Sequence, residues 1–360
     1  MFKDLSRRRF LAGSTAAAGA LTLGGRAALG ADPLKVGFVY VGPIGDYGWT
    51  HGHDLGRKAI EAEFGDQVST TYVENVAEGP DADRVIRQLA TSGHKLIFTT
   101  SFGFMNPTIR VAKQFPDVKF EHATGFQTAD NVAIYNARFY EGRAVIGTIA
   151  GHVTQTGKFG YVASFPIPEV VMGINAFILA ARKVRPDAEI KVVWVNSWYD
   201  PGKEADAAKT LIDQGCDVIT QHTDSPAPVQ TAASRGVWSF GQASDMSSFA
   251  PEHHATAILD VWDSYYVERT RAVLEGTWQT SNVWHGFKEG MVQMAPYNAR
   301  LPAEVVEAAE KVRSGIVDGT LHPFTGPIND QSGTERIAAG ETMTDEALLS
   351  MDWYVEGVSA

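Results

Sequence analysis

The 360-residue chain has one cysteine, Cys216. An intramolecular disulfide, a four-cysteine zinc site and a cysteine-ligated iron–sulfur cluster are therefore excluded. Within Gly215-Cys216-Asp217-Val218-Ile219 the lone thiol reads as a small buried apolar side chain. Positive charge is scarce as well. With 31 Lys and Arg against 42 Asp and Glu, a formal charge of -11, the chain is no general phosphate-backbone binder, and nucleic acid is not an expected partner. No apolar run beyond the N-terminus reaches the roughly 20 residues that span a bilayer. Ala144 to Val153 comes nearest and is broken by Gly, Thr and His. The GxxxxGKS/T loop, the GxGxxG fingerprint and the GxSxG elbow are all missing, so no phosphate-bearing cofactor is expected and no enzyme reading is favoured.

What the chain does hold is apolar bulk. At 44% hydrophobic and 20% charged residues it is globular, and its length suits two lobes better than one core. At the N-terminus, Ser6-Arg7-Arg8-Arg9-Phe10-Leu11 leads into a mildly apolar stretch to Leu23 and then Ala27-Ala28-Leu29-Gly30-Ala31. These are the charged, apolar and small-residue regions of an export signal. The arginine pair before Phe-Leu resembles a twin-arginine signal, which implies that residues 1–30 are removed and that the mature protein begins near Ala31 in the periplasm. No cysteine stands at the cleavage site to carry a lipid, so no direct membrane anchor is expected. Losing the segment takes the formal charge to about -15.

The rest alternates strands with helices, the grammar of parallel sheets covered on both faces. Leu34 to Val41 reads as a strand, followed by a helix from about Trp49 to Gly65, a strand at Thr70 to Val73 and a helix over Asp81 to Ser92 that stops at Gly93. Lys95 to Thr100, a helix from about Pro107 to Phe115, and Val118 to His122 continue the series. The pattern restarts at Gly157 to Ala163, so two α/β halves meeting near Gln155-Thr156-Gly157 are expected. Ala255 to Leu274 and Pro302 to Ile316 read as longer amphipathic helices.

Ligands of open α/β sheets bind beyond the carboxyl ends of strands. There the chain carries Gly42-Pro43-Ile44-Gly45-Asp46-Tyr47-Gly48-Trp49, Ser101-Phe102-Gly103-Phe104-Met105-Asn106, Ser164-Phe165-Pro166-Ile167-Pro168-Glu169, Asn196-Ser197-Trp198-Tyr199-Asp200, His222-Thr223-Asp224-Ser225 and Gly241-Gln242-Ala243-Ser244-Asp245. Aromatic rings alternate with carboxylates, amides and hydroxyls, which suits a flat ligand with a polar rim. His51 and His53 sit at i and i+2 and so diverge on a helix; they read as solvated or supporting side chains, and His253-His254 as a polar surface pair, with no metal site expected.

Several pieces in order carry a resemblance: Lys35 to Tyr40 with Gly45-Asp46-Tyr47-Gly48-Trp49, Arg138-Phe139-Tyr140-Glu141-Gly142-Arg143, Gln221-His222-Thr223-Asp224, Gly286-Phe287-Lys288-Glu289-Gly290, Gly326 to Gly333, and Met351 to Val358. Together they resemble the basic membrane protein family, the substrate-binding proteins of bacterial ABC transporters for purine nucleosides and related ligands. The resemblance implies a type I periplasmic-binding-protein fold, α/β with two Rossmann-like lobes of parallel sheet joined by three crossovers. It implies a first lobe of residues 31–155 with about 281–320 and a second of residues 156–280 with about 321–360. It also implies an ABC transporter permease as partner, with no cofactor.

Tyr47-Gly48-Trp49 departs from the Phe-Asn pair common among nucleoside binders and looks like the branch that binds free purine bases such as adenine. A purine base is the expected ligand. The alternatives are a purine nucleoside, then a sugar-binding or sensor protein, then an exported cofactor enzyme. On this reading Trp49 stacks on the ring with Phe102 or Trp198, Asp224 or Asp245 accepts from ring N–H groups, and Asn106 reads an edge. Tyr47 and Lys288 complete the ligand-binding candidates.

Overall fold

The computed structural model describes residues 32–360; the signal expected in residues 1–30 lies outside the described residues. Five strands come first: β1 (Leu34–Val39), β2 (Val68–Val73), β3 (Leu96–Thr99), β4 (Lys119–Ala123) and β5 (Val132–Ala137). Next come β6 (Lys158–Ala163), β7 (Glu189–Trp194), β8 (Val218–His222), β9 (Trp238–Gly241) and β10 (His254–Asp260). Shorter ones follow: β11 (Asn282–His285), β12 (Val292–Met294), β13 (Ile328–Asn329), β14 (Glu335–Ile337) and β15 (Val358–Ser359). They make a six-stranded sheet in the order β11-β5-β4-β3-β1-β2 and a seven-stranded sheet in the order β12-β10-β9-β8-β6-β7-β15, with β13 and β14 paired apart. The first sheet is wholly parallel and the second departs from parallel only where β12 meets β10.

Helices cover both faces: α1 (Gly48–Phe64), α2 (Pro80–Thr91), α3 (Met105–Ala112), α4 (Phe139–Val153), α5 (Pro168–Val184), α6 (Pro201–Asp213), α7 (Ala227–Ser234), α8 (Asp263–Leu274), α9 (Ala303–Val317) and the short α10 (Asp345–Leu349). Local chemistry sets their ends. Proline opens α2, with Asp81 and Asp83 in its first turn, while Asp200 caps α6 by accepting from the Lys203 amide at 3.1 Å. Almost every residue of α4 is buried, because it packs against both α5 and α9. The approach to α5 is close: a Cβ at Gly147 would stand 2.2 Å from the Phe177 carbonyl oxygen, which only glycine permits. Helix α8 packs against α1.

Chain passage between the sheets occurs after β5, after β10 and between β11 and β12, so three segments join the two lobes. Two expectations need correction. Ala255 to Leu274 is not one helix; its first part is β10 and only Asp263–Leu274 is helical. The run Ala255-Thr256-Ala257-Ile258-Leu259 lies between β9 and β12, almost wholly buried, and an apolar run of that kind carries no period to separate strand from helix. His254, expected at the surface, is 1% exposed at the start of that strand. Cys216 is buried, and burial pushes its thiol up to about 11.

Candidate functional site

In the first sheet strand order reverses at β1 and in the second at β6, so the loops that follow neighbouring strands diverge and leave a crevice. A small cavity lies in it. Val41, Trp49, Ser101, Phe102 and Thr124 line it from the first lobe, and Glu169, Trp198, His222, Asp224 and Gln242 from the second.

Trp49 is fixed from three directions. Its indole Nε1 donates to the Thr100 carbonyl at 2.6 Å, and its ring stands edge-on to His53 and Trp262, with centroids 4.4 and 5.5 Å away. Its backbone amide donates across the cleft to Asp224 Oδ1 at 3.1 Å. Next to it the Gly48 amide donates to Ser244 Oγ at 2.7 Å, so the head of α1 is tied twice to the second lobe. Gly48 has φ +85°, and a Cβ there would lie 2.8 Å from the Asp224 carbonyl oxygen. Both facts require glycine. His53, expected to be solvated or supporting, is fully buried: it stacks on Trp262 at 4.7 Å and bonds Tyr266 OH through Nδ1 at 2.6 Å. It is thus part of the platform beneath Trp49, and burial holds its pKa well below the ordinary value.

From the second lobe Trp198 leans on Phe165 with centroids 5.2 Å apart and donates through Nε1 to Glu78 Oε1 at 3.3 Å, a further bond between lobes. Burial pushes the Asp224 carboxyl up to about 7, against the lowering pull of the Trp49 amide, and Glu204 adds to the rise. Deeper in, Glu169 Oε1 lies 3.4 Å from His222 Nε2. Burial lowers the His222 pKa, although Glu169 pulls it the other way. Glu169 Oε2 and His222 Nδ1 have no hydrogen-bond partner within the protein. Gln242 Oε1 accepts from the buried Arg143 guanidinium, whose Nη1 also donates to Thr220 Oγ1 at 3.2 Å. Buried polar atoms left without protein partners in a cleft are atoms available to a ligand or to solvent.

Of the residues singled out in the sequence, Trp49, Phe102, Trp198 and Asp224 come together around the cavity. Tyr47 lines an adjoining hollow with Trp49, Tyr199 and Asp224. Three others are not brought to it. Asn106 is exposed in the first turn of α3, where Met105, Pro107 and Thr108 take the inward positions. Asp245 is exposed and turns back to accept from the Ser247 amide at 2.8 Å. Lys288 is exposed in the turn between β11 and β12. Sequence reasoning missed Ser101, Thr124, Glu169, His222 and Gln242 as individuals. All but Thr124 belong to the strand-end loops already marked out, so proximity to a strand end was the available signal. Among the described residues no group of side chains could hold a metal ion, and no helix is long and apolar enough to cross a membrane.

Two α/β lobes joined by three segments, with a cleft at the switch points of both sheets, define the type I periplasmic-binding-protein fold. The fold is shared with ABC transporter solute-binding proteins of Aeropyrum pernix K1 (TM-score 0.69, 21% identity, 88% of this chain and 97% of that one) and Conexibacter woesei DSM 14684 (TM-score 0.63, 21% identity, 80% and 98%). The family model for PnrA-like ABC transporter substrate-binding proteins, Bmp, matches residues 34–322, and the chain belongs to that family. It is 58% identical over 334 residues to a purine-binding protein of Brucella abortus, covering 93% of this chain and 95% of the relative. It is also 38% identical over 328 residues to a protein of Haloferax volcanii named provisionally as an ABC transporter glucose-binding protein, covering 91% and 81%. The resemblance read in the sequence is the family found, one of binding proteins and not of enzymes.

Proposed function

We propose that the protein binds a purine base, adenine-like, in the interlobe cleft and delivers it to the permease of an ABC importer. The observation that carries this reading is the convergence of two indoles and a phenyl ring, Trp49, Trp198 and Phe102, with the carboxylates of Asp224 and Glu169 on one cavity. Rings stack on the faces of a heterocycle, and carboxylate oxygens accept from its N–H groups. Gln242, its Oε1 held by Arg143, has amide N–H groups to offer a ring nitrogen. The high identity to a purine-binding relative supports the same choice. A hexose, as in the name of the Haloferax relative, offers no flat aromatic faces for the two indoles and the phenyl ring that line the cavity. The twin-arginine pattern of Ser6 to Leu11 supports release into the periplasm, where such a carrier works.

Calorimetry on protein stripped of small molecules, titrated with adenine, guanine, hypoxanthine, their nucleosides and glucose, tests the assignment. Adenine should bind most tightly. Binding of glucose with silence toward every purine would replace it by the sugar reading.

A further inference from the structure

The cleft cavity does not end at Phe102. A second, roomier chamber adjoins it toward the segments that join the lobes, and Phe102, Thr124 and Glu169 are walls of both. Its other principal walls are rings and apolar chains: Phe126, Phe139, Tyr140, Ile167, Met172 and Trp284. Several polar atoms on those walls are already engaged within the protein, which leaves few for a ligand, chiefly the Asn136 amide nitrogen and the Thr124 hydroxyl. Asn136 Oδ1 accepts from the Ala137 amide at 2.7 Å, and Trp284 Nε1 donates to the Ala137 carbonyl at 2.9 Å. The Tyr140 hydroxyl accepts from Arg138 Nη1 at 3.0 Å and lies 3.3 Å from His322 Nε2. Glu169 Oε2, on the boundary with the first cavity, is a buried oxygen with no protein partner.

A ribose entering this chamber would surrender water to its hydroxyls and find few partners in exchange, which is costly. An apolar group would lose nothing polar and would gain the contact of several rings. The surface at the chamber points the same way. Phe126, 63% exposed, and Leu349, 41% exposed, are among the few large apolar side chains left open to solvent, and both are chamber residues. An apolar occupant would cover them.

We propose that the ligand is a purine base bearing an apolar alkyl or aryl substituent on one edge. The ring lies in the cleft cavity, the substituent fills the second chamber, and Glu169 accepts an N–H at the junction. This deepens the purine reading and rests on it.

The test is calorimetry of ligand-stripped protein with adenine, N6-benzyladenine, N9-benzyladenine and adenosine. One benzyl isomer should bind at least about tenfold more tightly than adenine, the scale expected for burying the equivalent of two or more methylene groups. Adenosine should bind no more tightly than adenine. Phe126→Ala and Leu349→Ala, both at exposed positions where folding has little at stake, should each erode the difference between the benzylated base and adenine. Adenine binding with both benzyl isomers no tighter would overturn the proposal and leave the purine reading standing, as would a gain that survives in both variants. Failure of all four compounds to bind would remove the purine reading and this inference with it.

Discussion

The backbone amide of Trp49, at the head of α1 in the first lobe, donates to Asp224 Oδ1 in the second at 3.1 Å. One carboxylate therefore serves two ends: it ties the lobes together and faces the cavity in which a ligand would lie. Its state of ionisation should be felt in both closure and binding.

Asp224 gives a pH dependence whose sign can be worked out. Its folded pKa is raised to about 7, above that of an ordinary aspartate, so between the two values the folded protein holds a proton that the unfolded chain does not. The stability of the ligand-free protein should consequently fall, through this group, as pH rises from about 4 to about 7. Burial and the carboxylate of Glu204 are what oppose its ionisation. An N–H donated by a purine favours the ionised form, so affinity should rise with pH through about 7, with proton release on binding. Calorimetry in buffers of differing ionisation enthalpy reads that release, and Asp224→Asn should flatten the profile. An unchanged profile in the variant assigns the titration elsewhere.

Closure depends on a residue with no side chain. At Gly48, φ is +85° and an added Cβ would come within 2.8 Å of the Asp224 carbonyl oxygen, so Gly48→Ala should hold the lobes apart at this contact. Affinity should drop at least about tenfold, equal to about 1.4 kcal/mol. Small-angle scattering should show a smaller ligand-induced contraction than in the parent protein. Equal contraction in both would mean that the head of α1 has room to move.

The alternation of strand and helix is legible where a strand ends in glycine, proline or a small polar cluster and a helix shows an apolar stripe, as in α2 with Val85, Ile86 and Leu89. β5 and β10 carry no such signal, because both are buried on two faces and neither alternates. The loops of the site were legible for the same reason as the strands they follow. Which acid in a loop faces inward was not. Asp224 is held at the cavity by its own amide, which donates to the Trp198 carbonyl at 2.9 Å, whereas Asp245 folds back on Ser247. Both outcomes depend on contacts made after folding. The burial of His254 is not legible because the neighbouring strand β9 offers no local sign, and which of the two roles open to His53 it takes is not, because Trp262 and Tyr266 stand far away in sequence.

Asn106, Asp245 and Lys288 provide a control set. All three are exposed and none lines the cavity. Asn106→Ala, Asp245→Ala and Lys288→Ala should leave affinity for the bound base within about twofold and stability within about 0.5 kcal/mol. Asp245→Ala stands nearest the upper limit, since it gives up the bond to the Ser247 amide. A tenfold loss of affinity in any of them, by calorimetry, would mean that the cleft reaches further than the cavity just described.

Trp49 and Trp198 both face the cavity, yet their removal should have different consequences. Trp198 rests on Phe165 and reaches Glu78 from a loop, with little of the core depending on it. Trp198→Ala should weaken purine binding by about 1 to 3 kcal/mol, the range for loss of a base-stacking ring, while costing under about 1 kcal/mol of stability. Trp49 is wedged against His53, Trp262 and Phe139 and anchors its indole N–H on Thr100. Trp49→Ala should therefore remove a similar share of binding energy and, in addition, about 2 to 4 kcal/mol of folding stability, through the space left in that aromatic cluster. Trp49→Phe separates the two effects: a phenyl ring keeps most of the packing and a stacking face but has no donor for the Thr100 carbonyl. Its stability should fall by less than that of the alanine variant, and its affinity should remain within about tenfold of the parent. Denaturant unfolding and calorimetry on the three variants give both numbers for each. A Trp198→Ala protein with full affinity, or a Trp49→Ala protein with full stability, would contradict the roles assigned to the two indoles.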